Sequence, residues 1–244
     1  MEIEKYHEMA RIQEHHWWFR GRRTHFRKIL KGLKLASNPS ILEIGCGTGA
    51  NLSLLREFGT VWAAEMDDFS RNYVREHSNI AVEYGELPDA IPFADKTFDL
   101  ICMFDVLEHV ERDSDALQAL RPRLRKNGRI LLTVPATKWL FGDHDRMFHH
   151  FRRYSKTELE EAIHSSGLRL SKISYFNTFL FPLAVLVRLI DFVKFKGNSI
   201  GMSTPPRFIN NILYNIFVAE RPIIKKSLFP FGLSLIAVAT AADQ

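Results

Sequence analysis

Cysteine is nearly absent. The 244 residues hold two, Cys46 and Cys102, with neither disulfide-like nor zinc-like spacing, so a disulfide scaffold and a cysteine zinc site are excluded and a reducing, cytoplasmic setting is expected. No apolar run reaches the roughly 20 residues that a membrane span needs. The greasiest stretch, Thr178 to Val193, is interrupted by Pro182, Arg188 and Asp191. The start, MEIEKYHEMARIQEHH, is charged and has no apolar centre, so no secretory signal is expected. Internal repeats and low-complexity tracts are missing. A basic stripe or RNA-binding module is missing too, and nucleic acid is not an expected partner. The charge excess is small, +5, which suits an anionic substrate or a membrane surface without requiring either. What remains, 46% apolar and 25% charged residues, is ordinary for a globular protein with one well-buried domain.

Periodicity organises the chain. Residues 3–31 read as one helix, with Tyr6, Met9, Ile12, Trp17 and Phe26 spaced for a buried face. From Ser40 onward strands and helices alternate: SILEI, a helix near 50–58, TVWAAE, a helix near 69–77, IAVEY, FDLICMF, a helix near 113–125, and GRILLTV. Such alternation builds a parallel sheet covered on both faces, and ligands sit beyond the carboxyl ends of its strands. A polar loop spans 136–155. A helix with Ser155 or Thr157 as its cap, the strand LRLSKISYF, two apolar helices near 178–195 and 207–226, and a last strand GLSLIAVAT follow.

The stretch ILEIGCGTGANLSLL, residues 41–55, carries glycines at 45, 47 and 49. Glycines after a strand let main-chain amides approach a ligand that a Cβ would hold off. Two patterns fit. Gly45, Gly47 and Ala50 match a dinucleotide fingerprint, with Glu65 twenty residues on for a ribose. Glu43, Gly45, Gly47 and Gly49 equally match an E-x-G-x-G-x-G loop.

Two later segments bear on the choice. YGELPDAIPFADKTFDLICMFDVLEHV, residues 84–110, and the closing PFGLSLIAVAT resemble the class I S-adenosylmethionine-dependent methyltransferase family, over residues 38–136, 155–176 and 229–241. The resemblance implies an α/β, doubly wound, mostly parallel seven-stranded sheet whose last strand inserts antiparallel. It implies S-adenosylmethionine as cofactor and S-adenosylhomocysteine as product. It also implies roles: Gly45, Cys46, Gly47 and Gly49 at the methionine end and ribose, Glu43 orienting the loop or the ammonium, and Glu65 accepting the ribose hydroxyls. Met66 would pack on the adenine. Glu86, where the family usually has Asp, would accept the adenine amino proton, with the Leu87 amide beside it. Phe104 and Asp105 would meet the methionine amine. EHHWWFRGRR, residues 14–23, resembles a helix that folds over the cofactor and assigns Trp18 and Arg22 to that side. A nicotinamide-dependent oxidoreductase and a non-catalytic cofactor-binding scaffold are the alternatives.

For the chemistry, a hydroxyl acceptor needs a base, and a histidine suits that. The candidates are His109, after the fourth strand, and His144 and His149 in the 141–154 loop. Arg152 and Arg153 of that loop could clamp a phosphate or carboxylate. In some quinone-type O-methyltransferases an acidic-His group like Asp105, Glu108 and His109 is tied to a metal; no metal is expected here. The chain is read as one domain: an N-terminal helical cap (1–37), a Rossmann-like core (38–176 and 229–244) and a helical insertion (177–228). The insertion suits a hairpin covering the sheet, a homodimer interface, or peripheral contact with the inner face of a membrane. The acceptor is expected to be a small molecule, a glycan or a lipid-linked compound.

Overall fold

The computed structural model describes residues 3–194, 204–224 and 229–241. Among them, seven strands form one sheet: β1 (Ser40–Ile44), β2 (Thr60–Glu65), β3 (Ala81–Tyr84), β4 (Phe98–Phe104), β5 (Leu124–Pro135), β6 (Leu168–Phe176) and β7 (Ser234–Ala241). Their spatial order is β3-β2-β1-β4-β5-β7-β6. The first five pair in parallel, and β7 lies antiparallel between β5 and β6. This is the expected doubly wound sheet with its antiparallel last strand. Strand order reverses between β1 and β4, and in doubly wound sheets the ligand crevice lies beyond the carboxyl ends of the strands at that point.

Alternation along the strands makes two cores. Leu42, Ile44, Ile101, Met103, Ile130 and Leu132 face α5 (Asp113–Leu120) and α7 (Lys156–Ser165). Ile41, Leu100, Cys102, Phe104 and Leu131 face the other way, toward α2 (Trp17–Leu30), α3 (Leu52–Arg56) and α9 (Arg207–Val218). Central strands buried on both faces read as continuous apolar runs, as ILEI and LICMF do. The remaining helices are α1 (Ile3–Ile12), α4 (Asp68–His77), α6 (Asp143–Met147) and α8 (Phe181–Lys194). Local caps fix several starts. Asp67 accepts the Ser70 amide at 2.8 Å before α4, and Ser155 and Glu158 form a reciprocal capping box at α7.

The expected single helix over 3–31 is two helices. The chain breaks before His16, whose Nδ1 accepts the Trp18 amide at 3.2 Å and starts α2. Buried Asn210 of α9 holds the break open: its Oδ1 accepts the Trp17 amide at 2.8 Å and its Nδ2 donates to the His15 carbonyl at 2.9 Å. The fifth helix ends at Leu120, not near 125, since Pro122 cannot continue it and Leu124 already pairs with Phe98. The loop over 136–155 contains α6, and the helix expected to reach 226 ends at Val218.

The insertion's second helix covers the sheet. Phe217 of α9 is fully buried, stacked at 5.4 Å on Trp18 and 6.2 Å on Phe176, with the His25 ring at 4.7 Å. His25 Nε2 meets the Phe217 carbonyl at 3.0 Å, and burial pushes its pKa down to about 4, which keeps the ring neutral. Glu220, just past α9, accepts the Phe179 amide at 2.5 Å near the start of α8. The helices approach so closely because residue 21 is glycine: a Cβ there would lie 2.3 Å from Phe217 Cδ1. Overpacking of this kind costs about 1–3 kcal/mol. Gly21→Ala is therefore expected to lower the unfolding free energy by that much, read as a fall in the urea midpoint at unchanged m, and an unchanged midpoint would show that α9 does not press on α2.

Candidate active site

The turn after β1 is held from three sides. Gly45, Gly47 and Gly49 all have positive φ (66°, 53° and 86°), which glycine adopts freely and other residues rarely. The Gly45 and Cys46 amides donate to the Ala64 carbonyl at 2.8 and 3.2 Å, tying the turn to β2. The Gly47 amide donates to Glu65 Oε2 at 2.8 Å, while Glu65 Oε1 accepts the Asp67 amide at 3.0 Å. From the N-terminal side, Thr48 Oγ1 donates to Gln13 Oε1 at 2.7 Å, and an Arg23 guanidinium nitrogen donates to the Ala50 carbonyl at 3.2 Å. A Cβ built on Gly47 would meet no atom within 4 Å. The turn thus presents backbone to open space.

Carboxyl groups crowd the carboxyl ends of the strands. Glu43 is buried; Oε1 accepts from Asn51 at 3.0 Å and Oε2 has no partner. Burial pushes its pKa up to about 8, against the opposing Asn51 hydrogen bond and the Arg22 charge. Burial also raises Glu65, less so because two backbone amides favour its ionised form. Asp105 leaves β4 at φ 57°; its carboxylate accepts from Thr133 Oγ1 at 2.9 Å and pairs with Arg22 at 2.5 Å. Arg22 also donates to Thr133 at 3.1 Å and lies over the Trp18 and Phe26 rings. Strain and strong pairing at a strand tip mark candidate functional sites.

The predicted residues are brought together unevenly. Glu43, Gly45, Gly47, Gly49, Glu65 and Asp105 gather at the carboxyl ends of β1, β2 and β4, at the switch point. Met66, 57% exposed, follows Glu65, and Tyr84, also exposed, hydrogen-bonds Glu86. The Glu86 amide is spent on the Ala90 carbonyl, and Leu87 packs partly buried at the core edge. The Cys46 side chain belongs to the core, where burial raises its pKa. The Phe104 ring stacks on Phe26 at 4.1 Å, so only its main chain is left for the crevice.

Of the histidine candidates, His109 stands at the rim, with the His150 ring 4.6 Å away at 83°. Solvent reaches one edge of it, while the protein crowded around the rest, and then His150, push its pKa down to about 4; it is a neutral base at pH 7. His144 packs on Phe148 and is likewise pushed down to about 4 by burial, and His149 is exposed. His150 was not among the expected residues. Its Nδ1 meets Asp145 at 3.0 Å, leaving Nε2 free. Asp145 takes the Arg153 Nε at 2.8 Å as well; though burial works the other way, these hydrogen bonds hold it far below the carboxylate range. Arg153 is therefore occupied, and Arg152 binds Asp113 at 3.0 Å and the Glu111 carbonyl at 2.6 Å, so the two do not form the expected free anion clamp. Glu108 is fully buried, both its oxygens lack partners, and burial raises it well above the usual range. Ligand-type atoms of Glu108, His109 and His150 lie within 4.8 Å of one another, a spacing that a cation could bridge.

Comparison with known proteins bears on this crevice. A family model described as a methyltransferase domain matches residues 9–173. The chain belongs to that methyltransferase family. An uncharacterised methyltransferase of Staphylococcus carnosus is 34% identical over 110 residues, 44% of this chain and 52% of that protein. The mitochondrial ubiquinone biosynthesis O-methyltransferase of Schizosaccharomyces pombe is 30% identical over 112 residues, 40% of this chain and 38% of that one. The chain thus spans about half or less of the length of these two relatives. Among solved structures, the chain bound to the Trm112 methyltransferase activator of Haloferax volcanii matches with a TM-score of 0.62 at 17% identity, covering 96% of this chain and 92% of that one. At that identity the likeness shows the fold.

The methyltransferase cofactor, S-adenosylmethionine, fits what the crevice offers: backbone facing open space at Gly47, an orphaned buried oxygen on Glu43, and exposed Met66 and Tyr84 beside the turn. Glu43 yields a pH test. Its pKa is raised from 4.5 to about 8 on folding, so its contribution to stability is complete below 4.5 and is lost as pH rises to about 8. Glu43→Gln is expected to remove that loss. The difference in unfolding free energy between variant and wild type should grow in the variant's favour across this window, with a limiting slope of about 1.4 kcal/mol per pH unit. Parallel pH profiles would contradict the burial of this carboxyl.

Proposed function

We propose that this methyltransferase methylates oxygen on a small-molecule, glycan or lipid-linked acceptor, with His109 as the base. The observation that carries the reading is the place of His109, exposed on the turn directly after β4 at the carboxyl ends of the strands, with the His150 ring 4.6 Å away. The O-methyltransferase named above, similar over part of its length, supports the choice of oxygen.

Bound S-adenosylmethionine supplies a methyl group already activated on a sulfonium. The chain's own work is then alignment, exclusion of water and handling of one proton. In this reading Gly45, Cys46, Gly47 and Gly49 bring main chain to the methionine and ribose portions, and Glu43 and Asp105 face the ammonium. Glu65 has about four lone-pair positions and spends two on the Gly47 and Asp67 amides, which leaves acceptors for a pair of ribose hydroxyls. Met66 and Tyr84 cover the adenine, and Glu86 with Leu87 reads its edge. His109 takes the acceptor's proton as the new carbon–oxygen bond forms, and His150, oriented by Asp145, stands beside it. His144 and His149 line the approach and do not touch the reacting atoms.

Phenols with and without apolar tails serve as trial acceptors. His109→Gln is expected to lower kcat by about 10²–10⁴ and to leave the S-adenosylhomocysteine Kd unchanged. Unchanged kcat would overturn the role of His109, and so would a stoichiometric divalent metal on the purified protein that the variant loses.

A further inference from the structure

The edge of the sheet that carries the crevice is also its greasiest rim. β5 and β6 both end there, and β7 begins there, since Pro135 and Phe176 each pair with Ser234. Just beyond these ends Trp139, 65% exposed, lies 6.0 Å from the Phe181 ring, and Phe181 lies 5.1 Å from exposed Phe231. Phe179, Leu183 and Leu186 at the start of α8 are exposed beside them.

The helix α9 reaches the same edge. Its Asn210 clasps the break before α2, and Gln13 in that break bonds the Thr48 of the glycine turn. While Asn210 and Phe217 turn inward, Phe208 (76% exposed), Ile209, Ile212 and Ile216 turn out. Apolar side chains at i, i+1, i+4 and i+8 form one stripe, and this one faces away from the protein. Monomeric soluble proteins rarely leave so much apolar surface open without a use for it.

Charge says what covers it. Residues 177–228 hold seven Lys or Arg against two acids, Asp191 and Glu220, a surplus equal to the whole +5 of the chain. Glu220 is buried against the Phe179 amide, and burial raises its pKa to about 7, so it does little to offset the surface charge. Of the described cations, Arg207 at the start of α9 and Arg221 just past its end are exposed, while Arg188 is held by the Leu140 carbonyl and Asp145. Aromatic and aliphatic side chains beside exposed cations are what an anionic lipid surface binds. No described helix is long and apolar enough to cross a membrane, so contact would be at the interface.

We propose that this rim docks the protein on an anionic bilayer with the crevice facing the lipid, and that the acceptor is an amphiphile carrying an apolar chain. The acceptor half of the proposal rests on the methyltransferase reading; the docking half stands on the rim alone.

Flotation tests the docking half. The wild-type protein is expected to float with vesicles of equal parts phosphatidylcholine and phosphatidylglycerol, to stay behind with phosphatidylcholine alone, and to be released by salt. The double variant Phe208→Ser/Ile212→Ser should lose about tenfold or more of the binding while keeping its melting temperature and its S-adenosylhomocysteine Kd in vesicle-free solution. A wild type that never floats, or a variant that floats equally well, overturns the docking. So does a wild-type dimer that the double variant dissociates, since a second copy would then own the face. Failure to bind S-adenosylhomocysteine with flotation intact would instead overturn the methyltransferase reading. The acceptor half is tested by turnover of one phenol with and without an isoprenoid tail on anionic vesicles: the tailed form should win, and equal turnover would overturn it.

Discussion

The Glu65 carboxylate at the end of β2 accepts the Gly47 amide at 2.8 Å, and much of the molecule is arranged around that contact. It joins the turn after β1 to the neighbouring strand at the point where strand order changes. Three glycines with left-handed backbone are needed for the turn to come round and meet it. The result is a stretch of main chain whose outer side is bare, at the end of a sheet whose central strands are covered on both faces. A ligand with hydroxyl donors and a cationic end has a place there that no side chain fills.

A second constraint is charge. Glu43, Glu65 and Glu108 converge beside Asp105 on the carboxyl ends of β1, β2 and β4, and burial pushes all three glutamates toward the neutral form. Arg22 answers part of this, delivered by α2 from a distant part of the sequence and pinned between Asp105, Thr133 and two aromatic rings. Removing one partner of a buried pair is far costlier than the pair's net worth, so the N-terminal cap and the tip of β4 depend on each other. The cap is fastened to α9 by Asn210 and Phe217. A change in the insertion therefore has a mechanical route to the cofactor crevice.

Much of this was legible in the sequence. SILEI and TVWAAE are β1 and β2 residue for residue, and FDLICMF is β4. The glycine turn and Glu65 could be read because their geometry is local: a strand, a turn and a carboxylate within 25 residues. Partners far apart in the chain escaped. The Arg22–Asp105 pair and the Asn210 clasp leave no spacing signal, and neither does the return of His150 to His109 across 41 residues. Arg152 and Arg153 looked like a free anion clamp because nothing in FRRY reveals Asp113 and Asp145 waiting for them. The single helix over 3–31 failed for a related reason: its apolar spacing persists across a break that only α9 makes favourable.

The central claim, that the glycine turn and Glu65 together hold the sugar end of the cofactor, is tested most directly by calorimetry. S-adenosylhomocysteine is titrated into the wild type and Glu65→Ala, with circular dichroism checking that the variant is folded. Loss of a charged acceptor for the ribose hydroxyls predicts an affinity loss of about 100-fold, close to 3 kcal/mol. A folded variant that binds as tightly as the wild type would contradict the account.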